Sequence, residues 1–234
     1  MPDLPDLPDI SKKCSQLARS FVHNGSVMKP LLLLLSVSAL ATVAYAAPKP
    51  LADGKTFEGW EGDTAGIWRI VDGAFAGGSL ETTVQRNEFL ATKKAFGNFE
   101  LRLKCKLVGT EGFVNGGIQF RSKRIANPPN EMSGYQADVG AGYWGTLYDE
   151  SRRNRALATA DKEVVAKALK KDDWNDYVIR CEGPHIRLWI NGVKTVDYTE
   201  AEPGIEQTGL IAMQIHGGAK AVASYKDIMI EELP

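Results

Sequence analysis

Phe99-Glu100-Leu101-Arg102-Leu103-Lys104-Cys105-Lys106-Leu107 alternates without a break, apolar at every odd position and charged at every even one. Side chains on a strand point to opposite faces in turn, so such a run predicts a half-buried strand of an antiparallel sheet. Tyr177-Val178-Ile179-Arg180-Cys181 repeats the phase. His185-Ile186-Arg187-Leu188-Trp189-Ile190 runs into Asn191-Gly192, and Val193 to Tyr198 follows; Asn-Gly between two such runs predicts a tight hairpin. Further strands are expected over Gly117 to Arg121, Tyr135 to Val139, Leu210 to His216 and Tyr225 to Leu233. Only Asp161 to Lys171 has helical spacing, and it reads as one short helix or a loop. Many strands with closely spaced turns predict an all-β sandwich of two antiparallel sheets, and the length favours a jelly roll. Trp174 and Trp189 are expected in its core, while Trp60 and Trp68 fit core or surface.

Working outward, the chain divides into three. Residues 1–27, with Pro2, Pro5 and Pro8, match neither a domain nor a signal and read as an upstream extension, disordered or a mis-assigned start. Residues 28–46 read as a signal peptide: Lys29, an apolar stretch centred on Leu31 to Leu35, and Ala44-Tyr45-Ala46 as a cleavage site. The apolar run falls short of the roughly 20 residues of a spanning helix, so no stable membrane span is expected after cleavage. Residues 47–234 form the single working domain, expected to be secreted or periplasmic. Over the whole chain 28 basic and 29 acidic residues nearly cancel, which gives no electrostatic case for nucleic acid. Export permits a disulfide. Cys105 and Cys181 both fall on inward positions, so they are either two buried thiols or a bridge between strands in matching register.

Several motifs follow one another in a recognisable order: Asp53-Gly54-Lys55, Gly59-Trp60, Trp68 to Gly73, Phe96 to Leu101, Asn115 to Arg121 and Gly134 to Asp138. Trp174-Asn175-Asp176-Tyr177, Trp189 to Gly192, Gly209-Leu210-Ile211 and Gln214-Ile215-His216 complete the order. Over residues 51–233 the chain resembles the 3-keto-disaccharide hydrolase domain family. The resemblance implies a concanavalin A-like jelly-roll sandwich and activity on oxidised glycosides. Many relatives carry Tyr-Glu-x-Gln where this chain has Tyr135-Gln136-Ala137-Asp138, so carboxylate and amide are exchanged.

A 3-keto sugar is primed for elimination, because the ketone acidifies the hydrogen at C2. The chemistry needs a base near C2, an electrophile at the ketone oxygen and an acid near the leaving oxygen. It does not need the spaced carboxylate pair of ordinary glycosidases. Three strands present polar residues two apart on one face: Gln119 with Arg121, Gln136 with Asp138, and Gln214 with His216. Such pairs suit a sugar-binding sheet better than a core. His216 is the first candidate for a base or metal ligand, with a strand-end structural histidine as the plainer alternative. Asp138 is the matching acid. The loop Tyr143 to Arg153 supplies Glu150 as acid or base, and Trp144 and Tyr148 as stacking aromatics. Gln119, Arg121, Gln136 and Gln214 are expected to bind substrate. Arg152-Arg153-Asn154-Arg155 reads as a solvated loop. Cofactors are not required, although Asp138, Glu150 and His216 together would suit a divalent metal ion.

The expected activity is therefore cleavage of 3-keto-glycosides with net hydrolysis, and the expected partner a carbohydrate. The alternative from another class is a glycan-binding, lectin-like module. That role needs amides and aromatics but has little use for Asp138, Glu150 and His216 together.

Overall fold

The computed structural model describes residues 47–140 and 142–234. The predicted upstream extension and signal peptide lie outside the described residues. Among those described, fifteen strands and one short helix build a sandwich of two antiparallel sheets, the expected jelly-roll class.

The first sheet is organised around β6 (Phe99–Gly112), the strand built on the opening alternation. β6 pairs on one side with β11 (Asn175–Glu182), followed outward by β12 (His185–Ile190) and β13 (Val193–Thr199). On its other side lie β15 (Ala219–Glu232), β4 (Ala74–Ser79) and β3 (Trp68–Val71), and β1 (Lys49–Pro50) adds to β15. The second sheet runs β10 (Arg155–Ala158), β9 (Leu147–Glu150), β8 (Met132–Gly140), β7 (Asn115–Arg124), β14 (Leu210–Ile215), β5 (Glu88–Thr92) and β2 (Trp60–Glu61).

The core lies between the sheets, and each strand's alternation decides what enters it. Phe99, Leu101, Leu103, Cys105 and Leu107 of β6 face inward. From the second sheet come Ile118 and Phe120, Tyr135 and Ala137, and Ile211, Met213 and Ile215. Positions 117 and 119, 136 and 138, 148 and 150, and 212 and 214 therefore point away from the core. Two tyrosines of the first sheet reach across to the backbone beneath that outward face. The Tyr225 hydroxyl lies 2.7 Å from the Gln214 carbonyl and 3.1 Å from that of Gly117, and the Tyr177 hydroxyl lies 3.3 Å from that of Asp138.

Several expectations change. Trp174 and Trp189 are half-exposed on the outer face, not in the core. Each lies beside cations, with the Lys226 Nζ 4.2 Å from the Trp174 ring and Arg187 6.0 Å from the Trp189 ring. Alternation explains Trp189: Leu188 and Ile190 take the inward positions of β12. Trp60 and Trp68 are the buried tryptophans. Cys105 stands opposite Asn175 and Cys181 opposite Phe99, so the cysteines lie on neighbouring strands far out of register. They remain two buried free thiols. The predicted helix is α1 (Lys162–Ala168), whose N-cap Asp161 accepts hydrogen bonds from the Glu163 and Val164 amides. No helix among the described residues is long and apolar enough to cross a membrane.

Candidate functional site

On the outward face of the second sheet, a cleft of about 140 Å³ is lined by Gln136, Asp138, Tyr148, Glu150 and His216 together with Asn115, Phe113 and Tyr143. Five residues expected at the site thus come together from β8, β9 and the end of β14. Asp138 sits where the β8–β9 hairpin closes: its amide donates to the Thr146 carbonyl at 3.0 Å, and its carbonyl accepts from the Gly145 amide at 3.2 Å. Glu150 stands two positions along from Tyr148 on β9, a strand in what the sequence presents as an aromatic loop.

A file of hydrogen bonds ends on Asp138. The Ser122 hydroxyl donates to Gln119 Oε1 at 2.6 Å, Gln119 Nε2 to Gln136 Oε1 at 3.0 Å, and Gln136 Nε2 to Asp138 Oδ1 at 2.8 Å. The carboxylate only accepts, so each amide's orientation follows from its neighbour's. Gly117 makes room for this file. A Cβ there would stand 2.6 Å from Gln136 Cδ, so any larger residue would push the Gln136 side chain off its path.

Asp138 is 3% exposed. Burial pushes its carboxyl up to about 7 against the Gln136 hydrogen bond, and the Glu150 charge adds to the rise. Burial also raises Glu150 to about 7, with the Glu131 and Asp149 charges adding to it. Burial and Glu150 raise Tyr148 as well, so its hydroxyl stays neutral and able to donate. Among the described residues, no arginine or lysine is a cause of either shift.

His216 follows β14, its amide bonded to the Asn115 carbonyl at 3.0 Å. Its Nδ1 lies 2.7 Å from the Gly217 carbonyl oxygen, an acceptor, so Nδ1 is the donor and the lone pair of the neutral ring lies on Nε2. Phe113 meets the imidazole edge-on at 4.8 Å between ring centres and meets Tyr143 edge-on at 5.9 Å. Phe113 and Tyr143 are also among the few large apolar side chains left exposed. Asn87 ties the rim together, accepting from the Gly217 amide and donating to Glu131 Oε2, both at 3.1 Å.

Four expected contacts fall elsewhere. Gln119 is fully buried beside Gln136 and reaches the cleft only through it. Gln214 is fully buried, and neither amide atom has a partner among the described residues. Arg121 is turned off the cleft face by a break in the β7–β8 register between Phe120 and Lys123, where its φ is 46°. Its guanidinium instead donates to the carbonyls of Gly97 at 2.9 Å and Gly183 at 2.6 Å, pinning loops. Trp144 packs against the core and lines a separate apolar cavity. The Arg152-Arg153 run is likewise no solvated loop, since both guanidinia close on the buried Asp149. Asp138, Glu150 and His216 are the residues a divalent cation would use. Yet among the described residues no three carboxylate, imidazole or thiol groups stand in a ligating arrangement.

Sequence reasoning missed Phe113, Asn115, Tyr143 and Asn87. The signal for the aromatics was their position beside glycines, at Gly112 and Gly142, where a chain turns at the surface.

The jelly roll thus gathers aromatics and acids on one outward sheet face. The family model for the 3-keto-alpha-glucoside-1,2-lyase-like domain matches residues 47–231, and the chain belongs to that family. Solved structures share the fold at low identity. One crystallised as a candidate glycosyl hydrolase from Parabacteroides distasonis superposes with a TM-score of 0.58 at 19% identity, covering 80% of this chain and 94% of that one. A carbohydrate-binding module from Bacillus subtilis gives 0.57 at 15%, covering 74% and 96%. A Bacillus subtilis protein with a galectin-like fold gives 0.60 at 13%, covering 81% and 96%. No curated protein matches the sequence.

Proposed function

We propose that the domain cleaves 3-keto-glycosides by elimination and hydration. The observation that carries this reading is the convergence of Asp138, Glu150 and His216 on one cleft, where burial raises both carboxyls to about 7 and His216 Nδ1 is engaged by the Gly217 carbonyl. Groups that are half-protonated near neutral pH can both give and take protons. His216 Nε2 takes the C2 proton, and the C2–H electrons move into an enolate on the C3 oxygen. Asp138, held through Oδ1 by Gln136, presents its protonated oxygen to that enolate, as a neutral acid in an apolar site can. The enolate then reforms the ketone and expels the C1 substituent, whose oxygen takes a proton from Glu150. Water adds across the new C1–C2 double bond, hydroxyl to C1 and proton to C2, so the net reaction is hydrolysis. Phe113 and Tyr143 offer apolar edges to the sugar, and no step is routed through a metal. The predicted signal peptide makes the setting secreted or periplasmic.

Glycan binding without chemistry is the second reading, and the exposed Phe113–Tyr143 pair is the observation in its favour. The test offers the purified protein a 3-keto-glucoside and the parent glucoside, with and without a chelator. Cleavage of the keto form alone, unchanged by chelator, is the expected result. Binding of the unoxidised glycan with cleavage of neither would replace the proposal with the second reading. Loss of cleavage on chelation would assign Asp138, Glu150 and His216 to a cation.

A further inference from the structure

A cavity of about 590 Å³ stands beside the carboxylate cleft and plays no part in the chemistry above. Its walls are mostly apolar, with Leu107, Val114, Trp144, Val165 and Leu169 prominent, while Lys162, Lys171 and Asp172 also line it. Two short segments separate cavity from cleft, and consecutive residues of each turn opposite ways. Phe113 and Asn115 line the cleft while Val114 lines the cavity; Tyr143 lines the cleft while Gly142 and Trp144 line the cavity. The exposed, edge-to-face Phe113 and Tyr143 belong to these two segments. The cleft alone, about 140 Å³, is well below the ~300 to 1,000 Å³ typical of pockets that enclose a whole small ligand, and the cavity falls inside that range.

We infer that the cavity receives the apolar or aromatic aglycone of a glycoside whose keto sugar occupies the carboxylate cleft, the glycosidic bond passing over Phe113 and Tyr143. This rests on the proposed 3-keto-glycoside reaction and narrows its substrates to glycosides with a hydrophobic leaving group. Matching an apolar group to an apolar cavity removes its surface from water, and even small apolar groups shift selectivity about tenfold or more.

The test compares kcat/KM for the octyl and methyl 3-keto-glucosides in the intact protein and in two variants. Ala166→Trp fills the cavity from an exposed position of α1, and Trp144→Ala removes one of its walls. The expected result is a preference of at least about tenfold for the octyl substrate that collapses toward unity in Ala166→Trp and weakens in Trp144→Ala. Equal kcat/KM for both substrates, or a preference that survives Ala166→Trp, would overturn the inference. If neither keto substrate is cleaved, the proposed reaction fails by itself, and calorimetric binding of octyl against methyl glucoside decides the cavity. Tighter octyl binding that Ala166→Trp abolishes supports the aglycone site, and equal or absent binding removes it.

Discussion

Asp149 and Glu150 are neighbours on one four-residue strand and live in opposite surroundings. Asp149 turns inward, fully buried, and is clasped by Arg152 at 2.8 Å and by Arg153. Arg153 also binds Glu200 at 2.6 Å and Glu202 at 3.0 Å, and Glu200 accepts from the Tyr135 hydroxyl at 2.7 Å. Although burial pushes Glu200 upward, the Arg153 and Tyr135 hydrogen bonds prevail and hold it down at about 2. Glu150 turns outward to face Asp138, and burial raises both to about 7 with no cation among the described residues countering it. Buried charge is tolerated in the first region because it is neutralised. In the second it is left uncompensated, which costs stability and yields groups that exchange protons. The first region frames the cleft, and the second is where the proposed reaction places its proton transfers.

The sharpest way to break this contrast is to remove ionisation from the second region. Asp138→Asn is expected to lower kcat/KM for a 3-keto-glucoside by about 10² to 10⁴. It should also stabilise the fold at pH 8. A carboxyl raised in the native state favours folding fully below its unfolded value of about 4, and that contribution is lost as pH rises through about 7. Urea unfolding should therefore show a gain on the order of 3 kcal/mol over the parent at pH 8, absent at pH 4. A loss of stability at pH 8 would place Asp138 with the framing carboxylates.

Arg153→Met attacks the first region. Leaving Asp149 and Glu200 buried without their shared cation should cost about 3 to 5 kcal/mol at neutral pH, read as a lower urea midpoint. The parent's stabilisation by Glu200 is present above its unfolded value near 4.5 and lost as pH falls toward 2, so the variant should show a flatter acid limb. Unchanged stability would dissolve the distinction.

Gln119→Leu tests the file of hydrogen bonds behind Asp138. Gln119 is buried and reaches the cleft only through Gln136, so it is a positioning residue. A roughly tenfold fall in kcat with KM nearly unmoved, and a shifted pH–rate limb, is the expected outcome. A merely structural role would leave the limb in place. Phe113→Ala should have the smallest effect, raising KM by about three- to tenfold with kcat nearly kept.

Much of this was legible in the sequence where one strand face is wet. The alternation from Phe99 to Leu107 holds because its even positions are charged and lie on the outer face, where Arg102, Lys104 and Lys106 reach solvent. The second sheet is harder to read, since β7 from Asn115 to Ser122 is buried on both faces and alternation there separates core from site rather than core from water. Polar residues two apart still revealed Gln136, Asp138 and His216, and Glu150 stood out as a second acid. Arg121 did not follow its pattern, because a register break depends on the partner strand and leaves no local mark. Trp144 and Tyr143 exchange roles across one peptide bond, a choice made by the turn after Gly142. The rim residues Phe113 and Asn87 meet the site only through contacts distant in sequence.

The most direct test of the account follows the hydrogen at C2. A 3-keto-glucoside deuterated at C2 is incubated with the protein in ordinary water, and label loss and glycoside cleavage are followed together. The account predicts that every cleaved molecule has lost its C2 deuterium, that cleavage is slowed by the label, and that His216→Ala abolishes both. Cleavage that leaves the deuterium on C2 would contradict elimination and with it the role given to this site.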